Sequence, residues 1–258
     1  MSAEAIIKSQ ARDTLKNNYP KAVIALLVVL LPYYIIDGST TVISCIFSYF
    51  IAETTLRAIL IYTLGYTFEI LAFFLFSPIV NGYIRAYYNT SYTGVMDMTD
   101  LYYYFDGDRY KKALSMNLNA LLRLLLPAAL LYIPLIIFEI LSAQIGEPFY
   151  GSVPYIDIFF ILSVISTMTL FIYSLRYFTA YTVSCDIDSL TVKQAFEYSK
   201  HIMKGRTGSM RKLVLSFTPW LLLCIFVLPA LYVIPYLTQS ICISAKWMTK
   251  ATFEVNLQ

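Results

Sequence analysis

Few side chains of this 258-residue chain have the types and spacing that catalysis or metal binding requires. Its one histidine, His201, falls on the polar side of a predicted helix, so the residues for a multi-histidine metal site or a Ser-His-Asp triad are missing. The sequence also lacks the G-x-x-x-x-G-K-[ST] loop with which many ATPases hold phosphate. We therefore predict no catalytic residue, no cofactor and no metal, and we expect that the protein is not an enzyme.

The segment CDIDS, Cys185 to Ser189, contains an Asp-x-Asp pair of the kind that holds a divalent cation with a sugar-nucleotide diphosphate. Asp and Ser are also common N-caps, because their side-chain oxygens accept a hydrogen bond from the first helical turn. A helix is predicted to begin at Leu190. We therefore favour an N-cap at Asp188 or Ser189 over a cation site.

Three charged residues, Glu69, Arg123 and Arg176, fall inside apolar runs. Glu69 lies close to the middle of the second predicted span, where an ionised carboxylate costs at least about 2.5 kcal/mol. Arg123 and Arg176 lie near the inner ends of their spans, where long side chains reach the membrane surface. They partner Glu69 only if the second span is shifted or a water-filled inner vestibule exists. We favour Glu69 as a structural hydrogen-bonding residue, with a transport or proton-relay role as the alternative.

The elements that position these residues follow from composition, because 59% of the residues are hydrophobic and only 14% are charged, against about a quarter charged in soluble domains. We predict an all-α, integral membrane bundle of six spans, since about 20 apolar residues cross the hydrocarbon core. The spans are Tyr19 to Ile36, Ile59 to Val80, Asn117 to Leu141, Ile158 to Thr179, Leu213 to Leu228 and Ala230 to Ser244. The alternative for the last two is one kinked span broken at Pro229. The apolar segment Ser39 to Ala52 is too short to cross and is predicted as an interfacial or re-entrant helix.

The distribution of charge predicts the orientation of the spans. All Lys and Arg residues except Arg57, Arg123 and Arg176 fall in the segments that are inside if the N-terminus is inside. The outer loops carry mainly acidic residues: Asp37, Glu53, Glu147 and Asp157. This asymmetry favours an N-in, C-in, multi-pass protein of a plasma membrane. The net charge of +3 then reflects topology, and we predict no nucleic-acid partner.

Each inner segment that precedes a pair of spans resembles the others. Residues 2–18 place Ala3, Ile7, Ala11 and Leu15 on one helical stripe, and Asp188 to Gly205 has a similar stripe. The members of the second stripe are Val192, Ala195, Phe196, Ser199, Ile202 and Met203. The middle segment, which carries Leu101 and Tyr104, is a weaker copy. The single membrane domain, 1–258, is thus predicted to hold three units, 1–89, 97–182 and 189–248, each an amphipathic cytoplasmic helix followed by two spans.

A basic cluster lies at the junction between the third amphipathic helix and the fifth span. Its members are Lys193, Lys200, Lys204, Arg206, Arg211 and Lys212. On an anionic leaflet each such charge contributes about 1 kcal/mol of attraction. The simplest interpretation is that these cations only set the topology of the fifth span. The functional interpretation is a surface for anionic lipids of the inner face, or for a protein partner or a second copy of the chain.

The stretch SKHIMKGRTGSMRKLVLSFTPW, Ser199 to Trp220, resembles a motif of a multi-span membrane protein family found mainly in Firmicutes, domain of unknown function nine-seven-five. Nine positions match in order and spacing: Ser199, Met203, Lys204, Gly205, Leu213, Leu215, Ser216, Phe217 and Trp220. Weaker matches are Ala11 to Lys16, Gly82 to Tyr88, Ala180 to Asp186 and Pro235-Tyr236. The sequence departs from the pattern at Arg211 and at Ile187-Asp188. The resemblance implies six spans in a bacterial membrane and no activity.

Two function classes remain. The favoured one is a non-catalytic membrane protein, a scaffold, accessory subunit or envelope factor, whose cytoplasmic amphipathic helices bind lipid or a partner. The alternative is a transporter or channel-like protein with a polar path past Glu69. The first is favoured because the predicted spans contain few convergent polar groups and no pair of Gly/Pro breaks at corresponding mid-span positions, which is the usual sequence sign of a transporter site.

Overall fold

The computed structural model describes residues 2–51, 54–145, 153–224 and 226–255, and within these ranges the chain is helical without any strand. The all-α class is therefore confirmed. Nine α-helices and one 3-10 helix follow in the order α1 Ala3–Lys16, α2 Tyr19–Phe50, α3 Thr54–Thr93, the 3-10 helix Met98–Phe105, α4 Gly107–Ile145, α5 Val153–Asp186, α6 Val192–Met203, α7 Thr207–Leu215, α8 Thr218–Leu223 and α9 Val227–Val255. Glu53 and Glu147, predicted for outer loops, lie outside the described residues.

Five of the described helices, α2, α3, α4, α5 and α9, are long and apolar enough to cross a membrane. Each contains one of the predicted spans. The chain therefore has the helices of a multi-pass membrane protein. Four of them run for 32 residues or more, because apolar residues follow one another with few breaks and backbone groups in hydrocarbon must be satisfied within the helix.

The fifth predicted span, Leu213 to Leu228, is not one helix. It is divided between α7, α8 and the start of α9, with Ile225 outside the described residues. Pro219 occupies the first turn of α8, where its missing N–H costs nothing, but it has no N–H to continue the ladder from α7. The alternative of one kinked span from Leu213 to Ser244 placed the break at Pro229, whereas Pro229 lies inside α9 and the helix is interrupted before Thr218 and after Leu223.

The segment predicted as a separate interfacial helix, Ser39 to Ala52, is instead the second half of α2 as far as Phe50, and Ala52 lies outside the described residues. Its polar residues do not interrupt the helix. The hydroxyl of Ser39 donates to the Ile35 carbonyl, and Thr41 donates to the carbonyl of Asp37. Back-bonding of this kind satisfies Ser and Thr inside a helix, so the apolar run continues without a break.

The long helices form two antiparallel hairpins, α2 with α3 and α4 with α5. In the first, the Tyr87 hydroxyl donates to the Ala22 carbonyl at 3.1 Å. In the second, the Ser166 hydroxyl donates to the Leu131 carbonyl at 2.9 Å. Helix α9 runs parallel to α3, and the hydroxyls of Tyr83 and Thr238 are 3.3 Å apart. Helix α1 packs along α9.

One end of this bundle, which we call the basal end, gathers the start of α2, the end of α3, the start of α4, the end of α5 and the C-terminal half of α9. Asn18 donates to the Gly94 carbonyl at 2.7 Å, and Lys246 donates to the Ser91 carbonyl. Lys112 donates to the Asp188 carbonyl at 2.8 Å. The short elements α1, the 3-10 helix, α6 and α7 pack at this end.

The core also lies at the basal end. Among the largest fully buried side chains are Tyr87, Tyr88, Phe196 and Phe217. The far halves of α2 to α5 instead expose large apolar side chains: Ile35, Ile70, Leu130 and Phe160 are each more than half exposed. A contiguous apolar surface of this kind suits a lipid environment. Helix α6 buries five residues of its predicted stripe, Ala195, Phe196, Ser199, Ile202 and Met203.

Candidate functional site

The 3-10 helix is seated directly on the backbone of α3 at Gly82. A Cβ at this position would lie 2.2 Å from the carbonyl oxygen of Leu101 and 2.8 Å from its Cα. Ala86 and Tyr87, four and five residues further along α3, are fully buried. The Gly82 to Tyr88 element of the family pattern is thus explained by close approach of two backbones, which only glycine permits.

A polar cluster beside Gly82 fixes the 3-10 helix. The Arg85 Nε donates to Asp100 Oδ1 at 3.0 Å, and Asn89 donates to the other carboxylate oxygen at 2.8 Å. The guanidinium of Arg85 also lies 3.5 Å from the centre of the Tyr103 ring. Every oxygen of Asp100 is therefore engaged by the protein itself. Sequence reasoning missed this cluster, because its members are separated along the chain and form no recognisable motif.

The two carboxylates of CDIDS have different partners. Asp186 accepts from the Tyr88 hydroxyl at 2.6 Å, and Asp188 accepts from the Tyr103 hydroxyl at 2.7 Å. Burial and this bond to Asp188 raise the pKa of Tyr103, so the phenol stays protonated as the donor. Within the described ranges no group of three His, Cys, Asp or Glu side chains is arranged to hold a metal.

The expected N-cap at Asp188 or Ser189 is wrong. Helix α6 begins at Val192, and Thr191 is its N-cap in a reciprocal capping box with Gln194. Asp188 remains outside the helix because Tyr103 and Lys112 hold it against the 3-10 helix and α4. A capping box satisfies two backbone donors at once and therefore outcompetes a single cap earlier in the chain.

The most specific part of the family motif joins α6 to α5 and then turns the chain. The Ser199 hydroxyl lies 2.6 Å from the Thr179 hydroxyl and donates to the Arg176 carbonyl at 2.9 Å. Met203 to Arg206 form a turn in which the Arg206 N–H donates to the Met203 carbonyl at 3.1 Å. Gly205 has φ of +77°, which favours glycine there.

Two basic residues attach the short helices to α9 and to one another. Arg206 Nη1 donates to the Met248 carbonyl at 2.8 Å and to the Thr252 hydroxyl at 2.5 Å. Lys8 of α1 donates to the Ser216 carbonyl at 3.0 Å and lies 4.2 Å from the centre of the Phe217 ring. Burial lowers the pKa of Lys8. Arg206 was predicted as part of a lipid or partner surface, and the structure places its side chain in a contact with α9.

The basic pocket is a cavity of about 420 Å³ between α5, α6 and α7. Its charged lining residues are Arg176, Lys200, Lys204 and Arg211, and no carboxylate lines it. Arg176 is oriented by a 3.0 Å bond from Nη1 to the Tyr173 hydroxyl. Among the described residues none of the four cations forms an ion pair. The pocket thus concentrates positive charge that forms no ion pair within the part of the chain that the structure describes.

The basic pocket unites residues that the sequence placed in two separate groups. Lys200, Lys204 and Arg211 were predicted for a surface, whereas Arg176 was predicted within a span. Lys193 and Lys212 are exposed but do not line the pocket. Arg123, the other predicted intramembrane cation, lies 4.6 Å from the centre of the Phe196 ring of α6 and 6.0 Å from that of Tyr177.

A second space, the central cavity, lies among α2, α3, α4, α5, α8 and α9. Its volume is about 640 Å³ and its walls are mainly apolar, with Ala120, Leu124, Phe171 and Ile241 among them. It shares Leu175 and Tyr177 with the basic pocket. The centre of the Tyr177 ring also lies 6.0 Å from the guanidinium of Arg123 and 5.2 Å from that of Arg176. A charged pocket and an apolar cavity are therefore neighbours across one short stretch of α5.

Glu69 is placed away from both spaces. Its side chain is exposed on α3, it lines neither the basic pocket nor the central cavity, and it has no hydrogen bond or ion pair among the described residues. It precedes the basal end of α3 at Thr93 by 24 residues, or about 36 Å of helix. From Gly82, on which the 3-10 helix is seated, Glu69 is separated by 13 residues, or about 20 Å of helix.

Comparison with known families matches residues 1–247 to the model described as Protein of unknown function (DUF975). The chain belongs to this family, which confirms the resemblance read from the Ser199 to Trp220 motif. Comparison with curated proteins and with solved structures gives no match.

Proposed function

We propose that this member of the family is a non-catalytic integral membrane protein that gathers anionic lipid at the inner face of a bacterial plasma membrane, as a scaffold, accessory subunit or envelope factor. The observation that carries the proposal is the convergence of α1, α6, α7 and the basic pocket at the basal end. A protein partner or a second copy of the chain is the alternative occupant of this surface.

The proposed topology has six crossings with both termini inside. Helices α1 and α9 pack together, and Lys246 of α9 contacts the same end of α3 that Asn18 contacts. An even number of crossings returns the chain to that side. The fifth crossing is then made by α7 and α8 together, two short helices interrupted at Ser216 and Phe217 that connect the basal end to the start of α9.

The basal end is assigned to the cytoplasm because of its charge. Lys8, Lys21, Arg85, Lys112 and Lys246 all make contacts there. Positive residues within a short distance of the spans are retained on the inner side of a plasma membrane. They also face the anionic leaflet, where each contributes about 1 kcal/mol of attraction.

The transporter alternative, with a polar path past Glu69, has less support. Glu69 lines neither the basic pocket nor the central cavity, and its side chain is exposed on the surface of the bundle. Glu69 then has neither the burial nor the neighbours of a relay residue.

Lipid composition around the purified full-length protein tests this function. The protein is reconstituted into nanodiscs from an equal mixture of phosphatidylcholine and phosphatidylglycerol, and the lipids retained after mild detergent extraction are quantified. We expect retained lipid to be enriched in phosphatidylglycerol at low salt and less so at high salt, because exposed charges are screened. Retained lipid with the composition of the starting mixture contradicts the proposed function.

A further inference from the structure

We propose that the basic pocket and the central cavity together form one binding site for a single anionic phospholipid. The phosphate binds among Arg176, Lys200, Lys204 and Arg211, and one acyl chain enters the central cavity. This inference rests on the proposed function, because the basal end must face the lipid headgroups. It goes further because it names a site for one lipid per protein chain in place of a diffuse charged surface.

The charge of the pocket specifies the headgroup. Four cations converge from α5, α6, the turn after α6 and α7, and none of the described residues that line the pocket carries a carboxylate. Like charges held together repel unless an anion or solvent compensates them. Arg176 is already oriented by Tyr173, and an oriented guanidinium is suited to bind two phosphate oxygens at once. Thr207, the first residue of α7, also lines the pocket and adds a hydroxyl.

The apolar cavity specifies the source of the phosphate. The central cavity has mainly apolar walls, so its space of about 640 Å³ among six helices suits an apolar occupant. Leu175 and Tyr177 line both spaces. A ligand whose charged head and apolar chain are covalently joined matches two adjacent spaces of these two kinds. A soluble phosphate compound would use only the first.

The charge requirement is tested by native mass spectrometry of the full-length protein titrated with dioleoyl phosphatidylglycerol. Lys200→Gln/Lys204→Gln removes two charges that line the pocket, and Lys193→Gln/Lys212→Gln removes two charges of the same region that do not line it. All of these lysines are exposed. We expect the first pair to weaken binding of the first lipid about fivefold per charge and the second pair to change it less than twofold. Equal effects of the two pairs overturn the site.

The requirement for an acyl chain in the central cavity is tested by filling that cavity. Ala120→Leu adds volume at a residue that lines the central cavity, and Ala129→Leu makes the same change at an exposed position of α4. Unchanged unfolding temperatures confirm that both variants are folded. We expect Ala120→Leu alone to weaken phosphatidylglycerol binding. Lipid binding by Ala120→Leu that equals Ala129→Leu overturns the acyl-chain half of the proposal.

Inorganic phosphate separates the two sources of the headgroup chemistry. We expect inorganic phosphate to leave the lipid bound when both are present at equal concentration, because phosphate has no acyl chain to bind in the central cavity. Displacement of the lipid by an equal concentration of phosphate overturns the lipid assignment. If phosphatidylglycerol is still enriched in nanodiscs while Lys200→Gln/Lys204→Gln binds it as the control pair does, the specific site is wrong and the proposed function stands. Loss of all enrichment contradicts both.

Discussion

Substitution of Gly82 by alanine should detach the 3-10 helix from the bundle. The added Cβ would lie 2.2 Å from the Leu101 carbonyl oxygen, whereas ordinary contacts begin at 3.4 Å, so the 3-10 helix must retreat by about 1.2 Å. The obstructing atoms of Leu101 belong to the backbone, so they cannot move aside by a change of side-chain rotamer. Alanine also favours the helix by about 1 kcal/mol over glycine, so the two effects oppose each other.

The steric clash should outweigh the gain in helix propensity. Overpacking costs about 1–3 kcal/mol, and a retreat of the 3-10 helix lengthens the 3.0 Å bond from Arg85 to Asp100 and the 2.8 Å bond from Asn89. Hydrogen bonds to charged groups contribute about 1.5–3 kcal/mol each, less here because both ends are partly exposed. After the gain in propensity, we expect docking of the 3-10 helix to weaken by about 2–4 kcal/mol.

Hydrogen exchange of residues 98–105 in the full-length protein measures this change. A loss of 2 kcal/mol corresponds to about 30-fold faster exchange. Gly65→Ala is the matched control, because Gly65 lies on the same helix and nothing is within 4 Å of its added Cβ. Equal protection of the 3-10 helix in Gly82→Ala and Gly65→Ala would refute the reasoning from backbone contact.

Three further predictions concern the same end of the bundle and its opposite. Ser199→Ala should lower the free energy of unfolding by about 1–3 kcal/mol, because it removes two hydrogen bonds to α5. Thermal unfolding measures this loss, and Ser209→Ala at an exposed position should leave the unfolding temperature unchanged. Arg206→Gln should speed hydrogen exchange in the last turns of α9, where its guanidinium is bound, and Arg211→Gln should not. Glu69→Gln should change the unfolding temperature very little, since an exposed side chain without partners contributes within about 0.5 kcal/mol; a large loss of stability would show a contact that the account lacks.

The sequence predicted the long helices well, because an apolar run that must satisfy its own backbone in hydrocarbon has few alternatives to a helix. It predicted their ends poorly. Ser39 to Phe50 looked like a separate element from composition, but hydroxyls that donate back to the helix let α2 continue. Pro219 was recognised only as part of an apolar run, although its missing N–H divides the fifth span.

The basic pocket could be predicted only in part from the sequence, for a different reason. The basic junction at Lys200, Lys204 and Arg211 was visible as a run along the chain. The contribution of Arg176 depends on how α5 packs against α6, and such a contact between helices leaves no local pattern. Gly82 was noted only as the first residue of a weaker family match, and its partner Leu101 is identified only by the packing of two backbones.

The side of the membrane on which the basal end lies tests the account most directly. Native Cys45 is exposed on the far half of α2 and serves as the outer reporter, and Thr99→Cys and Ser209→Cys in a Cys45→Ser background serve as basal reporters. Intact bacterial cells that express the full chain are treated with a membrane-impermeant maleimide. The account predicts labelling at Cys45 and no labelling at the two basal positions until the cells are permeabilised. Labelling of Ser209→Cys in intact cells would place the basic pocket outside and contradict it.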